Sequence, residues 1–560
     1  MAARTGGEIL VANLLVQRAT HAFGVPGESY LAVLDALYGV RSQLPFVVCR
    51  NEGGAAYMAE AYGKLTGRPG LAFVTRGPGA SNAAVGIHTA AQDSTPMIVF
   101  VGQVGSDMVD REAFQEIDYR KMYGGVAKWA AQIDRAERIP EYVAHAYRRA
   151  MSGRPGPVVL ALPEDMLTAR VDTADACHVE GVEAAPLPAD VREVEARLRD
   201  AARPLVIVGG SRWTDAARAA LRRFSDASQL PVACAFRSQD LFDHRHHHYA
   251  GDVGIGCNPA LSARIRDADV LLVIGERLGE MTTAGYTLPD VPLPRQVLVH
   301  VHPGAEELGR VYQPAIAIAA TPSAFLTAID GHACAATGRA GDALGANDAY
   351  RAWREPRAVP GDVDLWRIVD WLDGRLPSDA ILTNGAGNYA TWVHRVFRYG
   401  GGRRQLAPYS GSMGYGVPSA VAAKLVHPAR TVVSWNGDGC FLMNGQELAT
   451  AVQYRLAVVF VVIDNGMYGT IRMHQERAYP ARVSGTDLVN PDFAMLARAY
   501  GALGETVETT AAFAPAFERA LVADGPSLLH VRVDPQALTM NASLDDLRRQ
   551  GLARQRPPAV

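Results

Sequence analysis

Short apolar runs bounded by glycine, proline and asparagine alternate along this chain with longer segments of helical periodicity. In residues 1–170 the runs at 46–49, 71–75, 97–101 and 158–161 read as buried strands, and 22–27 reads as a strand leading into a turn. Segments 6–19, 29–38 and 53–66 read as helices; the last carries small residues on every side, as if packed closely between layers. Runs at 204–210, 232–234, 270–274 and 297–301 repeat the alternation, with a helix at 215–223. A third set follows at 380–382, 431–435, 457–463 and 527–533, with helices at 441–454, 490–501 and from 539 to about 551. Near-continuous apolar strands alternating with helices predict parallel sheets covered on both faces. Stretches of low periodicity at 171–190 and 335–360 read as linkers. The expected class is α/β, with three parallel-sheet α/β domains over 1–170, 185–335 and 360–550.

Residues 431–469 carry the most chemistry. The first strand runs into Asn436-Gly437-Asp438-Gly439, and Gly439 and Cys440 open a helix; the second strand ends in Asp464-Asn465-Gly466. In a right-handed βαβ unit both carboxyl ends fall on one sheet edge, which brings Asp438 and Asn465 together. One carboxylate and one amide oxygen suit a hard cation such as Mg²⁺, which completes its shell with water and phosphate oxygens. The free N–H groups at the helix start suit an anion. Read alone, Asp438 would cap a helix and Asn465 would form a turn. Two such turns at matching positions favour a metal-bound diphosphate. Glu52 also sits just past a strand end, at the start of an alanine- and glycine-rich helix, where the helix dipole stabilises a carboxylate.

Length and composition narrow this picture without redirecting it. At 560 residues the chain is too long for one core, and three domains is the natural division. A net charge of −3 gives no reason to expect nucleic acid or an anionic membrane as partner. No apolar run reaches the ~18 residues of a membrane-spanning helix, and the first residues, MAARTGGEIL, do not read as a secretory signal, so a cytoplasmic protein is expected. Cysteines 49, 177, 234, 257, 334 and 440 show no CxxC pairing, which fits reduced thiols. His244, His246, His247 and His248 lie in a turn-like stretch with no spaced partner and read as a solvated loop rather than a metal site.

The whole of 431–469 resembles the thiamine diphosphate motif, Gly-Asp-Gly followed one helix and one strand later by Asn. Arg50-Asn51-Glu52-Gly53-Gly54-Ala55-Ala56-Tyr57-Met58-Ala59-Glu60-Ala61-Tyr62 resembles a second family segment, and Gly24-Val25-Pro26-Gly27 and Gly77-Pro78-Gly79-Ala80-Ser81-Asn82 resemble two of its turns. The chain is similar throughout to the acetolactate (acetohydroxyacid) synthase, pyruvate oxidase and 2-oxo acid decarboxylase group. The resemblance implies thiamine diphosphate and Mg²⁺, with Asp438, Asn465 and the Met467 carbonyl as metal ligands. It places Gly437, Gly439, Cys440, Tyr468, Gly469, Asn388 and Tyr389 around the diphosphate, and Pro26 and Asn82 on the cofactor's other side. The Gly411 carbonyl is implied to accept from the cofactor's amino group, and Met413 to wedge beneath its bend. Glu52 is implied to bond the pyrimidine ring and promote removal of the thiazolium proton. Ala113-Phe114-Gln115-Glu116 resembles the synthases' Ala-Phe-Gln-Glu, which implies a catalytic role for Gln115 and a substrate-side role for Phe114.

The same resemblance implies a small 2-oxo acid or related substrate and a homodimer at least, with a homotetramer usual, because Glu52 and the metal site meet across subunits. The central domain holds FAD in synthases and oxidases. Ile274-Gly275-Glu276-Arg277 resembles their flavin segment, with Arg277 as the contact, whereas His302 stands where they carry an acid. An FAD site and a structural domain with an empty or ADP-like site both stay open. The specificity segment is mixed: His474 stands where synthases usually have Trp, and Met467-Tyr468-Gly469-x-x-Arg472 is closer to thiamine decarboxylases. Ile471 and His474 are the implied pocket residues. An acetolactate-synthase-like enzyme that decarboxylates a 2-oxo acid and ligates the product to a second carbonyl compound is the favoured reading. A non-carboligating 2-oxo acid or acyl-CoA decarboxylase is the alternative. A catalytically silent assembly protein has no need of Glu52.

Overall fold

The structure, a computed structural model, describes residues 3–335 and 339–555. It contains three six-stranded sheets, each wholly parallel. The first runs Phe46–Val48, Ala22–Gly24, Gly70–Val74, Met97–Gln103, Pro157–Pro163, Trp129–Gln132 from edge to edge. The third runs Arg404–Leu406, Ile381–Asn384, Val432–Gly437, Val458–Asp464, Ser527–Arg532, Leu503–Val507. Numbered along the chain, both follow the order 2-1-3-4-6-5. The central sheet runs Tyr249–Asp252, Val232–Cys234, Leu205–Val208, Val270–Ile274, Val297–His302, Ile316–Ala319, which is 3-2-1-4-5-6, the doubly wound order that binds dinucleotides. An antiparallel ribbon of Arg4–Thr5 against Arg170–Val171 ties the chain start to the end of the first sheet's unit.

Within the six-stranded sheets, the five strands that the apolar pattern does not predict, at 129–132, 249–252, 316–319, 404–406 and 503–507, all lie at sheet edges. An edge strand is covered less completely, so it needs no continuous apolar run. Trp129–Gln132 is half-buried throughout, and Ile316–Ala319 alternates buried and exposed positions.

The first and third units share a core. Helix Glu52–Thr66 lies against helix Pro78–Asp93 and helix Gly416–Val426, with every residue from Glu52 to Gly63 buried. Small residues permit this: a side chain at Gly86 would enter Ala56, and one at Gly70 would enter the Ala59 carbonyl. A buried polar cluster pins the same layer. Lys64 Nζ lies 2.5 Å from Asp93 and 3.3 Å from Glu60, and Tyr415 Oη donates to Glu60 at 2.6 Å. Burial pushes Glu60 up, against the pull of Lys64.

Two expected helices differ. The segment 441–454 is broken into Asp438–Phe441, a 3₁₀ turn at Gly445–Glu447 and Leu448–Gln453, because Gly445 is packed under the Phe441 ring. The last helix is Leu544–Gln555, and the end of the polar tail, 556–560, lies outside the described residues. The histidine-rich stretch is not a solvated loop: His244, His246 and His248 are buried, and only His247 is open to solvent.

Candidate functional site

Strands Val432–Gly437 and Val458–Asp464 pair in parallel, with Gly437 opposite Ile463. This register puts Asp438 beside the Asp464-Asn465-Gly466 turn. Asp438 is buried; its carboxylate accepts from the N–H of Gly439 at 2.8 Å and of Gly466 at 2.9 Å. The Asn490 amide donates to both Asp438 and Asp464, at 2.9 and 2.8 Å, and so bridges the two strand ends. Burial pushes the Asp438 carboxyl up to about 6, helped by neighbouring Asp464. Burial would also raise Asp464, but hydrogen bonds from His530 and Asn490 outweigh it and hold that group at about 2.

A cavity of about 240 Å³ opens on this edge. Its wall includes Gly411, Met413, Asp438, Cys440, Asn465 and Met467. Asn388, Tyr389, Gly437, Gly439, Tyr468, Gly469 and Ile471 complete the set that the sequence places there. Tyr389 lies flat on Gly387 and Gly437, where any Cβ would strike its ring, and its phenol donates to Cys440 Sγ at 3.1 Å. Tyr468 covers Gly439 in the same way. Asn388 is held by Thr470, whose hydroxyl donates to its amide oxygen at 3.0 Å. Gly411 takes φ +68°, a backbone state that a side chain would strain. Its neighbours are braced by the first unit, through Thr89 on Ser412 at 3.0 Å and Tyr57 Oη donating to the Met413 carbonyl at 3.4 Å.

A second set forms on the carboxyl edge of the first sheet. Glu52 is buried at the first position of its helix, which Asn51 caps, and its carboxylate accepts from Asn82 Nδ2 at 2.9 Å. Thr75 packs between Gly27 and Gly79, and Gly79 lies against Glu52, so the Pro26-Gly27 turn adjoins the glutamate. Gln115, at φ +65°, sits on Gly77. The structure therefore brings Pro26, Glu52, Asn82 and Gln115 to one edge. None of them lines the cavity around Asp438. Phe114 is 71% exposed and lies outside that cavity as well. His474 lines a larger cavity of about 1050 Å³, which shares Ala386, Gly387, Asn388, Gly411 and Thr470 with the first and continues past Arg277 into the central unit.

Glu447 is a residue the sequence reading misses. It is fully buried, and its Oε1 accepts from the N–H groups of Arg50 and Asn51, each at 3.0 Å. Gly54 leaves the space that its carboxylate fills. The segment that follows Asp438 thus fixes the chain immediately before Glu52. Glu447 follows Asn444-Gly445-Gln446 in a polar turn, and nothing in that stretch signals a partner near residue 50. Asn490 left no signal beyond a polar turn.

The carboxyl-terminal segment closes the site from outside. Leu538 lines the smaller cavity, and Met540, Asn541, Ala542, Leu547 and Gln550 line the larger. Helix Leu544–Gln555 is latched to helix Gly469–Ala478 by Arg548, whose guanidinium donates to Glu476 at 2.8 Å; Arg472 reaches the same carboxylate at 3.1 Å.

Thiamine pyrophosphate enzyme domains match this chain in order: the N-terminal TPP binding domain over 4–122, the central domain over 191–329 and the C-terminal TPP binding domain over 385–531. The acetolactate synthase isozyme 2 large subunit of Escherichia coli is 30% identical over 543 residues, covering 94% of this chain and 95% of that one. The acetolactate synthase of Arthrospira platensis is 30% identical over 551 residues, 94% of each chain, and that of Bacillus subtilis 29% over 542, covering 94% and 93%. The chain belongs to the thiamine pyrophosphate enzymes. Within them it is a thiamine diphosphate-dependent, acetolactate-synthase-like carboligase. Among the described residues, no helix is long and apolar enough to cross a membrane.

Two measurements check this arrangement. Glu447→Gln should lower turnover by about 10²-fold, the scale of a small misplacement of a reacting group, while cofactor affinity measured by calorimetry stays within a few-fold. Equal losses of turnover and affinity would place Glu447 on the cofactor side instead. Glu476 is held at about 2, first by the Arg548 hydrogen bond. A depressed carboxyl contributes stability above its unfolded value of ~4.3, and loses it as pH falls from there towards about 2. Protection factors of the amides in 544–555, with the intrinsic slowing of exchange in acid divided out, should therefore fall over that window in the native enzyme. In Arg548→Ala they should already be low at neutral pH.

Proposed function

We propose that this enzyme decarboxylates a small 2-oxo acid and joins the resulting two-carbon or larger unit to a second carbonyl compound, using thiamine diphosphate with Mg²⁺ in an assembly of at least two chains. The observation that carries the reading is the pairing of Asp438 with Asn465 and Met467 on one cavity wall, together with a buried, oriented Glu52 on a separate sheet edge. A carboxylate, an amide oxygen and a main-chain carbonyl form a hard oxygen set that fits Mg²⁺ and its diphosphate. Bound thiamine diphosphate supplies the carbon nucleophile and the electron sink for loss of CO₂. Asp438, Asn465 and the Met467 carbonyl would hold the metal. The N–H groups of Gly439 and Cys440, at a helix start, would face the diphosphate. Met413 would sit beneath the cofactor and the Gly411 carbonyl would accept from its amino group. Glu52, fixed by Asn82, would hold and return a proton at the pyrimidine ring. Gln115 and Phe114 belong to the same edge and would face the substrate from there, opposite Ile471 and His474.

Because no residue of the Glu52 edge lines the cavity around Asp438, a second copy is needed to complete the site. Exposed Phe114, Leu442, Met443 and Met495, from 45% to 71% accessible, are the apolar residues such a copy would cover. A homodimer is the minimum, and a homotetramer fits the family.

The central cleft supports a nucleotide. Its cavity lies where the chain reverses direction in strand order, beside the Gly210 turn, with Arg237, Arg277 and Arg395 on its wall. His302 is buried with Nδ1 accepting from the Gly304 N–H, and it is not on that wall, so its lack of acidity does not spoil the cleft; Asp252 and Glu276 are on the wall instead. These features favour FAD over an empty domain.

With pyruvate, acetolactate should form. Acetaldehyde alone would instead establish the simple decarboxylase. Asp438→Ala should lose Mg²⁺-dependent thiamine diphosphate binding in calorimetry. Glu52→Gln should retain binding and lose about 10²–10⁴ in turnover, the range of a proton-transferring group. Added FAD should stay with the protein through gel filtration, and Arg277→Ala should release it; no retained flavin absorbance in the wild type would remove the flavin.

A further inference from the structure

Helix Asp215–Ser228 ends beside the loop that carries His246, His247 and His248 into strand Tyr249–Asp252. The loop is held firmly. The Val232 N–H donates to the His248 carbonyl at 2.9 Å, and the Asn347 amide donates to the His246 carbonyl at 3.1 Å. Three imidazoles therefore gather around one carboxylate, that of Asp226, in the helix's last turn. Ligand atoms of Asp226, His247 and His248 all lie within 4.8 Å of one another. His247 stacks on His246 with ring centroids 4.5 Å apart, and His248 meets His247 edge-on at 4.2 Å.

His246 has a separate part. Its ring is 3% exposed, and its Nδ1 accepts from the His248 N–H at 3.1 Å. That acceptor role leaves the proton on Nε2, which lies 2.9 Å from Asp226 Oδ1. His246 thus orients the carboxylate through Oδ1, the oxygen that also lies 4.0 Å from His247 Nε2 and from His248 Nδ1, an outer-layer bond of the kind that fixes metal ligands. Ser225 Oγ holds the His248 ring at 3.0 Å. Asp226 and His247 are about half exposed, at 44% and 55%, so an ion has a way in.

We propose that Asp226, His247 and His248 form a surface site for a borderline transition-metal dication of the Zn²⁺ type, with His246 as positioning residue. Two imidazoles and a carboxylate suit Zn²⁺, Co²⁺ or Ni²⁺ with water in the remaining position. They do not suit Mg²⁺, which takes oxygen ligands. The site is separate from the Asp438 centre: neither Asp226 nor any of the three histidines lines the catalytic cavities. A bound ion would clip the end of the helix to the loop of the neighbouring strand, and so stabilise the central unit.

The test uses the full chain with thiamine diphosphate and Mg²⁺ at saturation. Zn²⁺ is titrated by calorimetry, and Co²⁺ by its visible absorption. One ion per chain is expected, with a rise in melting temperature that chelator reverses. His247→Ala removes an exposed ring, and Asp226→Asn keeps the carboxylate's shape; each should weaken Zn²⁺ at least 10–100-fold and abolish the thermal shift, with carboligation unchanged. Melting in chelator, equal to wild type, shows that each variant is folded. Absence of saturable Zn²⁺ or Co²⁺ binding in the wild type overturns the proposal. So does binding of equal strength in both variants.

Discussion

Glu447 is fully enclosed by protein, so its carboxylate must find donors within the fold, and it finds the two main-chain N–H groups that precede Glu52. A buried acceptor of this kind is costly to leave unmet. The contact therefore constrains both partners. It fixes the turn that presents Glu52, and it fixes the broken helix that begins at Asp438. Gly53 and Gly54 are small because this carboxylate and the Asn82 main chain press on them. Asn82 then sets the rotation of the Glu52 side chain. One satisfied carboxyl group thus ties the Asp438 turn of the third sheet to Glu52 of the first.

The first and third sheets share one strand order, and they meet through helices so poor in side-chain volume that the layers nearly touch. The cavity around Asp438 is therefore backed by the first unit, although no residue of the Glu52 edge lines it. Helices Glu52–Thr66 and Pro78–Asp93 brace Ser412 and Met413 from behind, with Tyr57 and Thr89 as the contacts. The central sheet has the other order and a different task. Its cleft opens into the same large cavity that His474 and Met473 line.

Much of this was legible in the sequence, for a physical reason. Central strands of a parallel sheet are covered on both faces, so 458–463 and 270–274 show as unbroken apolar runs, and 432–435 as one interrupted only by Ser434. The strand ends of interest are marked by glycine and asparagine, which no strand interior favours. Edge strands gave little signal, because half their surface may be polar. The break at Gly445 is marked by Asn444-Gly445, a breaker pair that the helix formers on both sides outweighed in the sequence pattern, and the contact of Phe441 with Gly445 fixes it. Glu447, Asn490 and the partnership of Asp226 with the histidines were illegible for a different reason. Glu447 and Asn490 depend on contacts between segments far apart in the chain, and the histidine run, though visible, gives no sign that the helix before it supplies Asp226.

The same distinction bears on specificity. The anchor for the diphosphate is written in main-chain geometry, in turns whose residues can be read one by one. The proposed substrate wall is assembled from pieces that have no common local pattern: Ile471 and His474 on one helix, the carboxyl-terminal segment held by a single ion-pair cluster at Glu476, and an exposed Phe114 on the opposite edge. Its shape depends on how firmly Arg548 holds the last helix and, in the assembly we propose, on how a second chain would seat Phe114. A substitution at either place can alter the acceptor without touching the cofactor anchor. The proposed anchor is thus fixed within one chain, whereas on the same proposal the choice of second substrate would depend on packing between segments and between chains.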